Sequence, residues 1–202
     1  MPTRAPRTRR RTSDRSDPVV RVGPLRRARL ADLPTLINHR LAMYRDMGGF
    51  SAEEIRAHAG PFRRWFRDEF RQGDLVGFLL RDAHGGAVAS GLVWFHPDHP
   101  RPAHPAKSAY LLSIYTAPRF RGRGFASRIV RAAVAEARRR RVARVALHAS
   151  PAGRRVYRRL GFTRSWEMRL RLTPRPRAAR RARAAGTARP PRPTTGSAAV
   201  TA

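Results

Sequence analysis

The feature that most constrains the fold lies between Ser108 and Ala137. A strand-forming run, "SAYLLSIYT", passes through an arginine- and glycine-rich loop directly into a segment where Phe125, Ile129, Val130, Ala133, Val134 and Ala137 recur at helical spacing. The charged residues of that segment fall on the opposite side, so the predicted helix has one face to bury. A strand feeding an amphipathic helix calls for a sheet on which the helix can lie.

The rest of the chain supplies that sheet. "VVRVGPLR" reads as a strand, followed by Leu33, Leu36, Ile37, Arg40, Leu41 and Tyr44 at helical spacing, with Gly48 and Gly49 as the stop. Ser51 and Glu54 form a capping-box pattern that opens a second helix, whose Ile55, Phe62, Trp65, Phe66 and Phe70 give it an apolar face. Pro61 is positioned to kink or divide it. "LVGFLL", a turn at His84 to Gly86, and "AVASGLVWF" predict an antiparallel hairpin. "VARVALHA" predicts a further strand, and Ser150 an N-cap with Pro151 at the first helical position. The alternation in "WEMRLRL" predicts a last strand, with Trp166, Met168, Leu170 and Leu172 on one side. The resulting order, β-α-α-β-β-β-α-β-α-β, is a mixed α/β (α+β) domain around one central sheet.

Apolar periodicity is confined to residues 19–172. Residues 1–18 and 173–202 hold arginine, proline, threonine, serine and alanine, with little apolar surface to offset ordering entropy, and are expected to be disordered tails. The formal charge is +31, and all but one of the basic residues are arginine, Lys107 being the only lysine. The 19–172 segment still carries 31 basic residues against 11 acidic ones, so the expected domain is itself basic. Such a field attracts phosphates and nucleic acid without sequence preference, in a manner that salt screens. Cysteine is absent, which excludes disulfides, thiolate metal sites and a cysteine nucleophile. No apolar run is long enough for a membrane span and the N-terminal segment lacks a signal-peptide core, so a cytoplasmic protein without membrane association is expected.

A tight loop between a strand and a helix N-terminus is an anion site, because unpartnered amides and the helix dipole both favour negative charge. Arg121, Gly124 and Ala126 fit an R-x-x-G-x-[GA] pattern there. Other phosphate loops fit less well. No Lys-Ser or Lys-Thr follows the glycines, and Ser127 stands where a dinucleotide loop has its third glycine. About thirty residues later comes "HASPAGRRVYRRLGF". The order of elements and these two segments together resemble the GNAT family of acetyl-CoA-dependent N-acetyltransferases over about Val20 to Leu172.

The resemblance implies a GNAT fold, with a mostly antiparallel sheet splayed at the cofactor cleft and about four flanking helices. It implies that Arg121, Gly122, Arg123, Gly124, Phe125 and Ala126 wrap the CoA pyrophosphate with backbone amides. The preceding strand, including Ile114, Tyr115 and Thr116, would pair with the pantetheine arm, and one of its amides would polarise the thioester carbonyl. Ser150 stands where members often have asparagine, beside the cofactor. Ser113, Arg155 and Arg158 differ from the asparagine, proline and acid of close relatives. Tyr157, before a Leu-Gly-Phe segment, maps to the general acid that protonates the leaving thiolate.

Glu167 and His148 are the candidate bases, and each has a plainer reading, as a solvated edge charge and a hydrogen-bonded structural histidine. Water can serve instead. His96, His99 and His104 lie among prolines that scatter their rings, and no metal site is expected. Arg138 to Arg141 read as the solvated end of a helix, and Trp65, Phe66 and Phe70 as core. The implied reaction transfers acetyl from acetyl-CoA to a primary amine on a small molecule or protein, in a ternary complex, without metal. Homodimerisation is common in the family. The alternative is an arginine-rich, nucleic-acid-associated protein whose GNAT-like domain is inactive.

Overall fold

A computed structural model describes residues 21–99, 102, 107–170 and 172. The tails assigned to 1–18 and 173–202 lie outside the described residues, as does His104. The elements are β1 (Arg26–Arg27), α1 (Leu33–Met47), α2 (Ala52–Arg71), β2 (Leu75–Arg81), β3 (Ala87–Pro97), β4 (Lys107–Thr116), α3 (Phe125–Arg139), β5 (Val145–Leu147) and α4 (Arg154–Arg159). The five strands form one sheet in the order β1-β2-β3-β4-β5. The first four pair antiparallel, and β5 lies parallel to β4. Parallel neighbours need a crossover, and α3 provides it.

Helices cover both sheet faces because the strands are apolar on both. Val76, Phe78 and Leu80 of β2 join Val93, Phe95, Leu111, Ile129, Val130 and Ala133 in a cluster that takes in α3. Leu75 of β2 and Leu92 of β3 point into a second cluster with Leu33, Leu36, Ile37, Phe62 and Phe66, which takes in α1 and α2. Trp65 and Phe70 pack against this second cluster, as expected.

The capping box forms as the sequence predicts. Glu54 N donates to Ser51 Oγ at 3.1 Å, and Ser51 N donates to Glu54 Oε2 at 2.6 Å. Pro61 does not divide α2, which runs unbroken to Arg71. It sits on the exposed side, where the carbonyl that loses its partner meets water.

Four expectations are corrected. "VVRVGPLR" is not a continuous strand: Val22 makes an isolated bridge to Asp82, and regular pairing is limited to Arg26–Arg27. Pro24 has no N–H for the ladder, so this edge is interrupted. The first turn after Ser150 is not yet helix. Gly153 N donates to Ser150 O at 3.0 Å and Oγ at 3.2 Å, closing a turn at 151–153 before α4 starts at Arg154.

"WEMRLRL" forms no strand among the described residues, and Trp166, Met168, Leu170 and Leu172 are 85 to 94% exposed. The neighbouring β5 is three residues long, too short an edge to fix the register of a seven-residue partner. The arginine run at the end of α3, Arg138 to Arg141, is not wholly solvated either. Arg140 lies 4.1 Å over the Phe95 ring and donates to Gly73 O at 2.7 Å.

Carboxylates shared between arginines let so basic a domain pack. Asp32 accepts from Arg26 at 2.7 Å and from Arg81 at 3.2 Å. Buried Glu136 pairs with Arg27, Arg139 and Arg140. Burial alone would raise the Glu136 pKa, but the hydrogen bonds from Arg27 and Arg140 outweigh it and hold the carboxyl below its ordinary value.

Candidate active site

Two strands that start together come apart. β4 pairs with β5 only from Ala109 to Leu111, opposite Val145 to Leu147. From Leu112 to Thr116 its far side has no described strand beside it, while β3 continues to pair on the near side as far as Thr116. The register between β3 and β4 shifts between Ser90 and Leu92. At that bulge Ser113 adopts a left-handed φ of 53°. The bulge forms where Gly91 leaves room: a methyl group there would stand 2.4 Å from Ile114 Cδ1 and 2.5 Å from Ile129 Cγ2.

The arginine loop follows at the open end of β4. A 3₁₀ turn, Pro118–Phe120, seats Phe120 in the core and leads to Arg121. Arg121 Nε donates to Thr116 O at 3.1 Å, and the same guanidinium pairs with Asp46 near the end of α1. Gly122 and Gly124 both have left-handed φ, 79° and 78°, and neither Cβ position has a neighbour within 4 Å. Gly124 caps α3 without a side-chain hydrogen bond. The amides of Phe125, Ala126 and Ser127 therefore face outward without intrahelical partners. Phe125 is anchored edge-on against Phe120, with ring centroids 6.5 Å apart.

Beside this loop, Thr116 Oγ1 is buried with no hydrogen-bond partner among the described residues. A buried hydroxyl without a partner is costly, and this one lies at the end of β4 where its pairing with β5 has already stopped. Outward amides, paired glycines and an orphaned hydroxyl together suit a phosphate followed by an extended polar arm.

Behind Ser113 the packing is tight. His39 Nδ1 lies 2.8 Å from Ser90 Oγ, and its ring lies tilted by 54° against Tyr115 with centroids 4.9 Å apart. Burial, and secondarily Arg81, lowers the His39 pKa to about 4. In front, Arg40 reaches from α1 to the bulge. Its Nη1 donates to Ser113 Oγ at 2.6 Å, Nε to His58 Nε2 at 2.8 Å, and Nη2 to the Tyr44 hydroxyl at 3.0 Å. Phe62 lies beneath the guanidinium at 4.5 Å. Helical spacing marks Arg40 only as a helix position. The available signal was an arginine on the otherwise apolar stripe of Leu33, Leu36, Ile37, Leu41 and Tyr44.

Tyr157 is half-buried on α4, its ring edge-on to Phe162 at 5.8 Å. It packs against the same core cluster that Ile114, Phe125 and Leu147 flank. Burial raises its pKa above the ordinary phenol value, and no described residue hydrogen-bonds its hydroxyl. Ser150 holds the turn that precedes α4, and Gly153 lies close under the Tyr157 ring. His148 follows β5 and contacts the Tyr110 hydroxyl. Arg169 Nη2 lies 3.2 Å from its Nδ1, and Arg169 Nε donates to Glu167 at 2.7 Å. Both candidate bases are exposed and are joined through this arginine. His96 leans on Trp94 and His99 pairs with Asp98. Among the described residues no group of three side chains could hold a metal, and no helix is long and apolar enough to cross a membrane.

The profile of the acetyltransferase (GNAT) family matches residues 36–162, more than half of the chain. The chain belongs to the GNAT acetyltransferase family. A GCN5-related N-acetyltransferase from Ralstonia eutropha JMP134 is similar at 29% identity and a TM-score of 0.68, covering 74% of this chain and 97% of that one. An acetyltransferase of Clostridium acetobutylicum, solved with acetyl-CoA, is similar at 25% identity and 0.68, covering 75% and 96%. Glucosamine-6-phosphate N-acetyltransferase from Arabidopsis thaliana shares the fold at 18% identity and 0.57, covering 74% and 98%. No curated protein matches the chain in sequence. This GNAT domain thus has the mixed sheet and flanking helices that the sequence implied, with a strand gap beside the arginine loop.

Proposed function

We propose that this GNAT domain transfers the acetyl group of acetyl-CoA to a primary amine within a ternary complex. One observation carries the reading: the free β4 edge from Leu112 to Thr116 runs directly into a loop of outward amides at the α3 N-terminus. An extended acyl carrier with a pyrophosphate at one end and a thioester at the other matches that arrangement. Arg121, Gly122, Arg123, Gly124, Phe125 and Ala126 would hold the pyrophosphate. Ile114, Tyr115 and Thr116 would pair with the pantetheine arm, with the Thr116 hydroxyl among the partners. Ser150 would hold the α4 turn against it.

The chemistry then needs little besides positioning. The amine lone pair attacks the thioester carbonyl carbon, and a β4 amide at the bulge stabilises the oxyanion. As the C–S bond breaks, the leaving sulfur takes the proton of Tyr157. Burial keeps that phenol protonated and able to donate. The proton lost by the nitrogen passes to solvent through His148, Glu167 or water, the two side chains being exposed.

The test is thermal unfolding of the protein with acetyl-CoA, 3′-dephospho-acetyl-CoA or ATP at low and moderate salt. At about 100 times the dissociation constant, binding is worth about 2.7 kcal/mol, or roughly 5 to 10 °C for a domain of this size. A shift with both CoA compounds that survives salt, without one for ATP, supports the reading. Equal shifts that vanish in salt would make the loop a basic patch and favour nucleic-acid association.

A further inference from the structure

Arg40 is a half-buried guanidinium with no carboxylate partner among the described residues, although carboxylates elsewhere in this domain are shared between two or three arginines. Its contacts are a neutral imidazole nitrogen, two hydroxyls and the faces of Phe62 and Tyr44. Arginine carries five N–H donors, and three are used, which leaves one on each terminal nitrogen. A desolvated cation without an anion is costly, and a site is the common reason to retain one. Burial lowers the Arg40 pKa, with only Tyr44 acting against it.

The surroundings restrict what the missing anion can be. Tyr44, Phe50, Glu54, Ile55 and His58 line a cavity of about 240 Å³; Arg40 is not itself in that lining but adjoins it through Tyr44 and His58, its hydrogen-bond partners. The walls are mostly aromatic and aliphatic. Glu54 is engaged by Ser51 N in the α2 cap and does not pair with Arg40. The space is below the 300 to 1,000 Å³ or so of a drug-sized ligand site and suits one compact apolar group. Arg40 also touches Ser113, at the bulge where the open β4 edge begins. An anion bound there sits next to the place where the acceptor nitrogen must meet the thioester, so amine and anion belong on neighbouring atoms.

We infer that the acceptor is an α-amino acid with an apolar or aromatic side chain, its carboxylate held by Arg40 and its side chain seated among Tyr44, Phe50, Ile55 and His58. This rests on the acetyltransferase reading above, and Arg40 is its specificity-determining residue. A phosphate several bonds from the amine, as in an amino-sugar phosphate, does not meet the spacing. Simple amines leave the guanidinium unpaired, and a site with a buried polar group discriminates strongly against an analogue that cannot pair with it.

The experiment is calorimetric titration of the full chain with L-phenylalanine, phenethylamine or glucosamine 6-phosphate, with and without CoA, at moderate salt. L-Phenylalanine is expected to bind about 100-fold tighter than phenethylamine, which lacks only the carboxylate. In Arg40→Lys, which keeps one charge and loses the planar fork, that ratio should shrink about tenfold or more. Comparable binding of the two ligands, no binding of either, tighter binding of glucosamine 6-phosphate, or an unchanged ratio in a folded Arg40→Lys would each overturn the inference. The ligand comparison in the unmutated protein decides the matter even where the variant fails to fold. Acetyl-CoA binding without amino-acid selectivity leaves acetyltransfer standing and removes this inference. Carboxylate-dependent binding in a protein that does not take acetyl-CoA does the reverse.

Discussion

Gly91 of β3 faces Ile114 of β4 so closely that a single added methyl group would lie 2.4 Å from Ile114 Cδ1. The contact sits opposite the bulge, where the sheet bends around its one left-handed serine. Gly91→Ala therefore overpacks the strand pair that shapes the cleft. It should cost about 1 to 3 kcal/mol, and about 2 to 4 °C per kcal/mol in thermal unfolding. Shortening the neighbour in Gly91→Ala/Ile114→Val should recover part of that loss. A double-mutant cycle with no coupling between 91 and 114 would refute the steric account.

Tyr157→Phe keeps the ring against Phe162 and removes only the hydroxyl proposed as the proton donor. The expected result is a loss of about 10² to 10⁴ in kcat, with little change in the KM for acetyl-CoA. Because burial raises the phenol pKa, its deprotonation should not limit turnover until well into the alkaline range. Steady-state rates across pH with a thiol-release assay check both points, and full activity in the variant would remove the acid role.

Thr116→Val replaces a buried, unpartnered hydroxyl with a methyl of similar size. Free of ligand, the variant should be more stable than the parent by about 1 kcal/mol, because an unsatisfied polar atom is gone. With acetyl-CoA the order of effects reverses, and the ligand-induced shift should be smaller than in the parent. Paired melting curves with and without acetyl-CoA read out both signs. An undiminished shift would mean that the ligand does not use the hydroxyl.

His39 sets a pH window for stability. Its folded pKa of about 4 lies below the ordinary 6.5, mainly through burial, so the unfolded chain takes up the proton first. The stabilisation from keeping the ring neutral is complete above about pH 6.5 and is lost as pH falls from there through 4. The full effect is on the order of 3 kcal/mol. Asp32, held below its ordinary 3.8 first by Arg26, acts in a lower window. Urea unfolding at pH 7, 5.5 and 4 should therefore show a decline that His39→Gln flattens between 6.5 and 4.

The helices, the hairpin and the arginine loop were legible because each is specified locally. Apolar spacing marks α1 and α3, the Ser51–Glu54 pair marks the start of α2, and Gly122 with Gly124 marks the loop. The last expected strand does not form among the described residues, because alternation records only which side chains are apolar. Whether Trp166 and Leu170 find a face depends on the neighbouring edge, and β5 offers three residues of it. Arg40 is not legible in the sequence for a related reason. A cation on an apolar stripe gains its meaning from Ser113, 73 residues away, and from His58 on another helix.

The parting of β4 from β5 has a wider consequence. The opening is made from hydrogen bonds that stop after Leu111, not from any side chain that could be trimmed or enlarged. Substitutions along its walls can change what fits without closing it, because the backbone ladder alone decides that it exists. In this domain the opening proposed for the acyl carrier is a property of topology. On the reading proposed above, choice of acceptor falls to the few side chains that α1 and α2 bring near the bulge, Arg40 first among them.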